Sequence, residues 1–261
     1  MLMRGRMRQV DTSSADDLVQ RSGMPAPYTT ATGLWATGWE DTTWILHTMW
    51  TRPDWPEMTT NDAEVLGDAI GDGAVVPDGI DEHELRGVVR GDLDRQTNPG
   101  APWRRVPWSE VADRLAVDMA GRPHPPSWRW FPGDAWPVSP PAIGSIDAFS
   151  WRRLADLLAG LGTAGHATPV FAFYDSVKAP DLEPLLFLGP LAGVTDFVAD
   201  PQPWQWLPNN LWPEDRSWFT LTDADLSATQ VSGPRELIDR VSAHPELETL
   251  DWQRAELSET S

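Results

Sequence analysis

The stretch that decides the fold class reads Ser217-Trp218-Phe219-Thr220-Leu221-Thr222, Asp223-Ala224-Asp225, Leu226-Ser227-Ala228-Thr229-Gln230-Val231 and Ser232-Gly233-Pro234-Arg235-Glu236-Leu237-Ile238. Its first and third parts are rich in aromatic, β-branched and hydroxyl residues, which favours strands, and the aspartates between them are typical of a turn. Gly233 and Pro234 then mark the start of a helix, which ends before Pro245 because the residue preceding a proline is disfavoured in a helix. A short strand follows. We therefore predict strand, turn, strand, helix and strand in succession.

The rest of the chain mixes helices and strands without strict alternation. Apolar residues at helical spacing predict helices over residues 60–70, 81–89, 109–120, 147–159 and 191–198. Strands are predicted over residues 34–36, 42–49, 74–76, 127–131, 168–174 and 183–188, and an irregular loop over 204–213. Several strand pairs lie close in sequence. This arrangement indicates an α+β fold with a mainly antiparallel sheet and several amphipathic helices, closed by the strand-turn-strand-helix-strand unit.

The domain organisation follows from length and proline content. The chain has 261 residues, enough to bury a core without help from a metal or a disulfide. Residues 1–30 are predicted to form an N-terminal extension whose order the sequence leaves open, and residues 31–261 to form one α+β domain. Seven prolines make residues 122–145 the place where that domain would subdivide.

Acidic residues outnumber basic residues by 39 to 20, which gives a net charge of −19 and a sequence pI near 4.4. Phosphate contacts dominate nucleic-acid affinity, so this chain is expected to repel nucleic acids and anionic membranes. The charge instead favours attraction to a basic protein, although solubility alone is a common reason for an acidic surface.

The sequence also bears on compartment. No segment approaches 18 uninterrupted apolar residues, and the basic residues 4–8 lead into no apolar run. We therefore expect no membrane span, no signal peptide and a cytoplasmic location. The chain has no cysteine, which removes disulfides, thiol nucleophiles and cysteine-based metal sites.

The chain has 16 tryptophans, many of them beside a proline, as in Trp55-Pro56, Trp136-Pro137 and Trp212-Pro213. If exposed, their faces would offer a platform for sugars or other flat ligands. If buried, Trp and Pro together make stiff loops with a large buried area. We favour burial, because aromatic residues dominate cores and the expected cytoplasmic location argues against a sugar platform.

One motif resembles a cofactor site. Gly160-Leu161-Gly162-Thr163-Ala164-Gly165 has the glycine spacing of a dinucleotide-binding loop. That function requires a strand before the loop and a helix after it, whereas here the predicted helix precedes and the strand follows. The glycines are better explained as a helix end and a turn. The five histidines show no metal-binding spacing, so we predict no cofactor and no metal.

Residues 212–248 carry a further spaced pattern. It consists of Trp212-Pro213-x-Asp215-Arg216-x-Trp218, Thr222-Asp223-x-Asp225-Leu226, Thr229-x-Val231-x-Gly233, Glu236-Leu237-Ile238 and Pro245-x-Leu247-Glu248. This pattern resembles uncharacterised proteins of GC-rich bacteria. The resemblance implies a small intracellular α+β protein and supplies no catalytic residues. Proteins of that sort sometimes neutralise toxins, which is an analogy.

Our leading hypothesis is a non-catalytic, cytoplasmic, acidic binding protein with a basic protein partner, of which an immunity-type protein is one form. We expect the contact residues in the loop where aromatic and charged side chains are dense, because aromatic anchors carry much of the energy of interfaces. These candidate binding residues are Trp204, Trp206, Trp212, Asp215 and Arg216. The competing interpretation is that this loop packs on the C-terminal sheet. The sequence leaves the oligomeric state open.

Two other classes of function also stay open. One is an enzyme, a hydrolase or transferase that uses carboxylates with His47 or His166. A cleft that brings two carboxylates and a histidine together would favour it. The other is a small-molecule or sugar-binding module, which would show several tryptophan faces lining one open groove.

Overall fold

The computed structural model describes residues 3–4, 6–15, 38–52, 60–72, 75, 100–120, 122, 124–127, 130–131, 141–175, 183–199 and 207–252. The strands in these residues are β1 (Met3–Arg4), β2 (Met7–Val10), β3 (Asp41–Leu46), β4 (Met49–Thr51), β5 (Arg104–Val106), β6 (Pro169–Tyr174), β7 (Leu185–Pro190), β8 (Asn210–Pro213), β9 (Phe219–Leu221), β10 (Ala228–Gly233) and β11 (Thr249–Leu250). The α-helices are α1 (Thr60–Gly71), α2 (Trp108–Leu115), α3 (Ala148–Ala159), α4 (Leu191–Ala199) and α5 (Arg235–Ser242). Short 3-10 turns lie at Thr12–Ala15 and Gly165–Ala167. None of the described helices combines the length and the apolar character needed to cross a bilayer.

Nine of these strands form one sheet in the order β1-β2-β7-β6-β8-β9-β10-β3-β11, and every neighbouring pair is antiparallel. β4 and β5 form a separate antiparallel pair. The stretch that decides the fold class forms β9, a turn, β10, α5 and β11 in the predicted order. The prediction of an α+β fold with a mainly antiparallel sheet is therefore confirmed.

One face of the sheet is covered by α3, α4 and α5. α3 begins after Asp147, whose Oδ1 accepts the N–H of Ser150 at 2.8 Å and so caps the helix. Trp151, Leu154 and Leu158 recur along one side of α3 and are almost fully buried. They pack with apolar residues of β3, β6, β7, β8 and β10 in one large core.

The opposite face carries two smaller clusters. Under α2 and the β4–β5 pair, Trp44 and Leu46 of β3 pack against Trp108. Beside them, a second cluster, rich in aromatic rings, joins β6, β8 and β9. Ile45 belongs to the core on the helical face, so β3 alternates between the two faces as its sequence predicts.

Helix boundaries follow local signals closely. α1, α3 and α4 lie within a residue or two of the predicted ranges. α2 is shorter than predicted and ends at Leu115, because Ala116 adopts a left-handed conformation with φ 52° and ψ 40°. The N–H of Val117 then bonds back to the Ala112 carbonyl at 2.9 Å, which closes the helix end.

Four described strands, β1, β2, β5 and β8, form where the sequence analysis placed none. β8 lies in the predicted irregular loop 204–213, and β1 and β2 lie in the predicted extension. The sheet thus includes residues 3–4 and 7–10 of the predicted extension, while residues 16–30 lie outside the described residues. The predicted strand 127–131 is wrong at its described positions, 127, 130 and 131, none of which lies in a strand. The predicted elements 34–36 and 81–89 lie outside the described residues, as does 74–76 except for Val75.

Candidate functional site

Three of the five predicted binding residues lie in the described part of the chain, in β8 and the turn that follows it. Trp212 is 1% exposed, and its ring stacks on Phe171 with centroids 5.5 Å apart. Asp215 is exposed, and its Oδ1 accepts the N–H of Ser217 at 3.0 Å. Arg216 is half-buried and has a φ of 56°. Trp212 therefore belongs to the core in this structure, while Asp215 and Arg216 form the tip of the β8–β9 hairpin. Trp204 and Trp206 lie outside the described residues.

The strand register brings further carboxylates to the same end of the sheet. β10 and β3 meet there with Gly233 opposite Asp41, and β8 meets β6 with Pro213 opposite Val170. The first turn of α5 follows directly after β10. We call the resulting group the acidic end, and it consists of Glu40, Asp41, Glu214, Asp215 and Glu236.

Two arginines accompany the five carboxylates of the acidic end. The guanidinium of Arg235 lies 3.8 Å from the Glu40 carboxylate and 3.1 Å from that of Asp41. The backbone N–H of Arg235 also donates to Glu40 at 3.2 Å. Arg216 lies in the hairpin turn between Asp215 and Ser217. The acidic end therefore keeps an excess of negative charge, and its side chains are exposed or half-buried.

The opposite end of the sheet holds a buried polar cluster, which we define as His47, Thr48, Asp147, Ser150, Thr222 and Thr229. His47 is 0% exposed. Its Nδ1 lies 2.7 Å from the Ala142 carbonyl oxygen and its Nε2 lies 2.9 Å from Thr229 Oγ1. Thr229 Oγ1 in turn lies 2.7 Å from Thr222 Oγ1.

The positions of the hydrogens in this series of hydrogen bonds follow from which atoms can only accept. A carbonyl oxygen only accepts, so Nδ1 of His47 carries a hydrogen. A neutral ring then accepts at Nε2 from the Thr229 hydroxyl, and that oxygen is left to accept from Thr222. Full burial favours the neutral ring over a charged one. In this arrangement both ring nitrogens of His47 are engaged, and the ring links β3 to residue 142 and to β10.

The carboxylate of Asp147 joins the same cluster from the start of α3. Its Oδ2 accepts the N–H of Thr48 at 2.8 Å, while its Oδ1 caps the helix through Ser150. The hydroxyls of Thr48 and Ser150 lie 3.2 Å apart. Asp147 is 2% exposed, and each of its two carboxylate oxygens accepts a hydrogen bond from a backbone N–H group.

His166, the other histidine of the enzyme alternative, lies at the opposite end of the sheet from His47. It belongs to the 3-10 turn before β6, and its Nε2 lies 3.1 Å from the Asp156 carboxylate. Both side chains of this pair are more than half exposed. The structure therefore does not bring the two histidines together. Within the described ranges, no three His, Asp or Glu side chains gather as they would around a metal ion.

The sequence analysis missed the partners of His47. Thr222 and Thr229 are directly opposite across β9 and β10, beyond the last paired residues Leu221 and Gln230. They were assigned to strands but not to a site, because hydroxyl residues are common in strands. Ile45 and His47 lie two residues apart in a predicted strand, so their side chains share one face of the sheet. Because Ile45 is apolar, that face is expected to be buried, and this signal could have identified the cluster.

We compared the chain with family models, with curated proteins and with solved structures, and none of them matches it.

Proposed function

We propose that this protein is a non-catalytic binding protein of the cytoplasm that recognises a basic protein through its acidic surface, in the manner of an immunity-type protein. The observation that carries the proposal is the charge balance. With 39 carboxylates and 20 Lys and Arg side chains, one-to-one pairing would still leave 19 carboxylates without a basic partner. Such an excess raises the rate at which a cationic protein associates.

The acidic end supports the proposal in structural terms. Its carboxylates lie on two turns, one strand end and one helix start, all anchored in the same sheet. A partner would therefore meet groups in fixed relative positions, which lowers the conformational cost of binding. Arg235 shows that a guanidinium group can contact two of these carboxylates at once.

The first experiment is a pull-down of the tagged protein from the lysate of the organism that makes it, at low and at high salt. We expect one basic protein to be retained at low salt and released at high salt, because screening weakens attraction between exposed charges. No retained protein at either salt would refute the proposal.

A matched pair of variants then tests the acidic end. Glu214→Gln with Asp215→Asn removes two charges from the acidic end and keeps an acceptor oxygen for the hairpin turn. Asp68→Asn with Asp72→Asn removes two exposed charges in and beside α1. We expect the first pair to slow association several-fold more than the second, measured by stopped flow at low salt. Equal slowing of association by both pairs of substitutions would mean that the net charge of the protein sets the association rate and that the acidic end has no special role in it.

A further inference from the structure

We propose that the edge of β7 is a docking site for an extended basic segment of the partner protein, and that the chain's own β2 occupies this site in the structure. The inference rests on the proposed recognition of a basic partner, and it names where the partner's chain would bind. Three observations carry it: the pairing of β2 with β7, a notch made by two glycines, and the contacts of an arginine with α4.

The first observation is the backbone pairing. β2 lies antiparallel to β7, with Arg8 opposite Leu188 and Val10 opposite Leu186. On its other side β7 pairs with β6 along its full length, from Pro190 to Leu185. Without β2, β7 would present a row of unpaired N–H and C=O groups. Such an edge accepts an extended peptide as an added strand.

The second observation is a notch that selects one side chain. Met7 packs against Gly189 of β7 and is 0% exposed. A methyl group at Gly189 would come within 2.8 Å of the Arg6 carbonyl oxygen, and one at Gly193 of α4 within 3.0 Å of the Met7 sulfur. Both glycines therefore provide the space that Met7 fills. The site accepts a long unbranched apolar side chain at this position.

The third observation is how the site holds a cation. The Nη2 group of Arg6 donates to the Ala192 carbonyl at 3.0 Å, and its Nε donates to Asp196 at 3.3 Å. The segment Arg6-Met7-Arg8-Gln9-Val10, which consists of β2 and the residue before it, carries two arginines and no carboxylate in a chain of net charge −19. The occupant thus shows the chemistry that the site takes, which is an arginine directly before a long apolar residue that begins an extended strand.

The topology allows β2 to be displaced. Its only neighbours in the described sheet are β1 and β7, and the next strand in the chain, β3, lies beyond five other strands. Thirty residues separate Val10 from Asp41. β2 can therefore leave β7 without breaking any pairing among the remaining strands, and its loss uncovers the β7 edge.

The test uses the full-length protein with Met7→Ala, which weakens the hold of its own strand, and a labelled peptide with the sequence of residues 3–10. Fluorescence anisotropy is measured with the natural peptide, with a Met7→Ala peptide and with an Arg8→Ala peptide as control, since Arg8 is exposed. We expect the Met7→Ala peptide to bind at least about thirtyfold more weakly, as for truncation of a buried methionine. The control peptide should stay within about fivefold of the natural one. No binding of the natural peptide, or equal binding of the natural and Met7→Ala peptides, would overturn the inference.

A second variant locks the strand in place. Arg8→Cys with Leu188→Cys puts two cysteines at paired positions, about 4.5–5.5 Å apart in antiparallel strands, which suits a disulfide. The chain has no other cysteine, so the bond formed is unambiguous. The oxidised protein should bind neither the peptide nor the basic partner, and reduction should restore both. A disulfide between two chains would show that a second copy supplies the strand, which contradicts a partner segment.

The outcomes for the partner separate this inference from the proposed function. Equal retention of a basic protein by the oxidised and reduced forms would remove the β7 edge as its site and leave the proposed function intact. If the lysate yields no salt-sensitive basic protein while the peptide still binds, the proposed function fails and the β7 edge loses the partner assigned to it.

Discussion

Asp147 offers the sharpest test of the buried polar cluster, because its one carboxylate serves two elements. It accepts the N–H of Ser150 and the N–H of Thr48, each at 2.8 Å, and it is 2% exposed. Asp147→Ala removes a helix cap worth about 0.5–2 kcal/mol. It also leaves the Thr48 N–H without this acceptor in a buried site, at a cost of about 1–3 kcal/mol. We expect the free energy of unfolding to fall by about 2–4 kcal/mol, measured by urea denaturation with tryptophan fluorescence.

Two further variants control this measurement. Asp147→Asn keeps one acceptor oxygen but turns an N–H group toward the other donor, so its cost should be intermediate or equal to that of alanine. Asp156→Ala removes a carboxylate from the same helix, where the side chain is 67% exposed, and should change the free energy of unfolding by about 0–1 kcal/mol. A cost below about 1 kcal/mol for Asp147→Ala, with an unchanged denaturant slope, would refute the assignment of both hydrogen bonds as stabilising.

Other expectations follow from the same contacts. Trp212→Ala should lower the free energy of unfolding by about 3–5 kcal/mol in urea. Trp212→Phe should lower it less, because an aromatic ring is kept for stacking. Loss of partner binding in Trp212→Phe with an unchanged free energy of unfolding would contradict the place of Trp212 in the core. The hydrogen bond from Arg153 holds the pKa of Glu246 below its ordinary value of 4.5. The contribution of Glu246 to stability is therefore complete above pH 4.5 and is lost as the pH falls through the lowered pKa. In thermal melts, the melting temperature of Glu246→Gln should fall less below pH 4.5 than that of the natural protein. His47→Phe leaves a buried carbonyl and a buried hydroxyl without this partner, and should cost about 2–4 kcal/mol in the same urea assay; a neutral result would contradict the cluster.

The sequence predicts those parts of the fold whose signals are local. The apolar stripe of Trp151, Leu154 and Leu158 predicts α3, and Pro234 after Gly233 predicts the start of α5 to within a residue. The alternation in β3 predicts that Trp44 and Leu46 share one face of the sheet and that Ile45 lies on the other. Each of these signals lies within about one turn of helix or a few residues of strand, so no knowledge of distant contacts is needed.

β8 shows why other parts escape such prediction. Asn210-Leu211-Trp212-Pro213 begins with a turn residue and ends with a proline, and it has no polar alternation. It is a strand because β6 and β9 lie on its two sides, with Ala172 opposite Leu211. β9 follows β8 in a hairpin, but the β6 partner lies 39 residues earlier, since Ala172 pairs with Leu211. Short strands held from both sides in this way are fixed by the sheet and not by their own sequence.

The candidate site, too, can be predicted only in part from the sequence. Net charge predicts an acidic surface, and the density of charged residues near Trp212 leads to Asp215 and Arg216 at the hairpin turn. The sequence does not show that Glu40 and Asp41 share the same end of the sheet, because that depends on the pairing of β3 with β10. Nor does it separate Trp212, which packs inward, from side chains that face the solvent.

The strand order also sets when the protein can fold during its synthesis. β3 ends at Leu46, and its partner β10 begins only at Ala228. At about 5–20 residues per second, the ribosome needs roughly 10–40 s to make the chain between them. Throughout that interval the apolar Trp44, Ile45 and Leu46 have neither of their described strand neighbours, β10 and β11, to pair with. Nascent chains stalled before Ala228 should therefore depend on chaperones and be cut readily by protease, and resistance should appear only once β10 has left the exit tunnel.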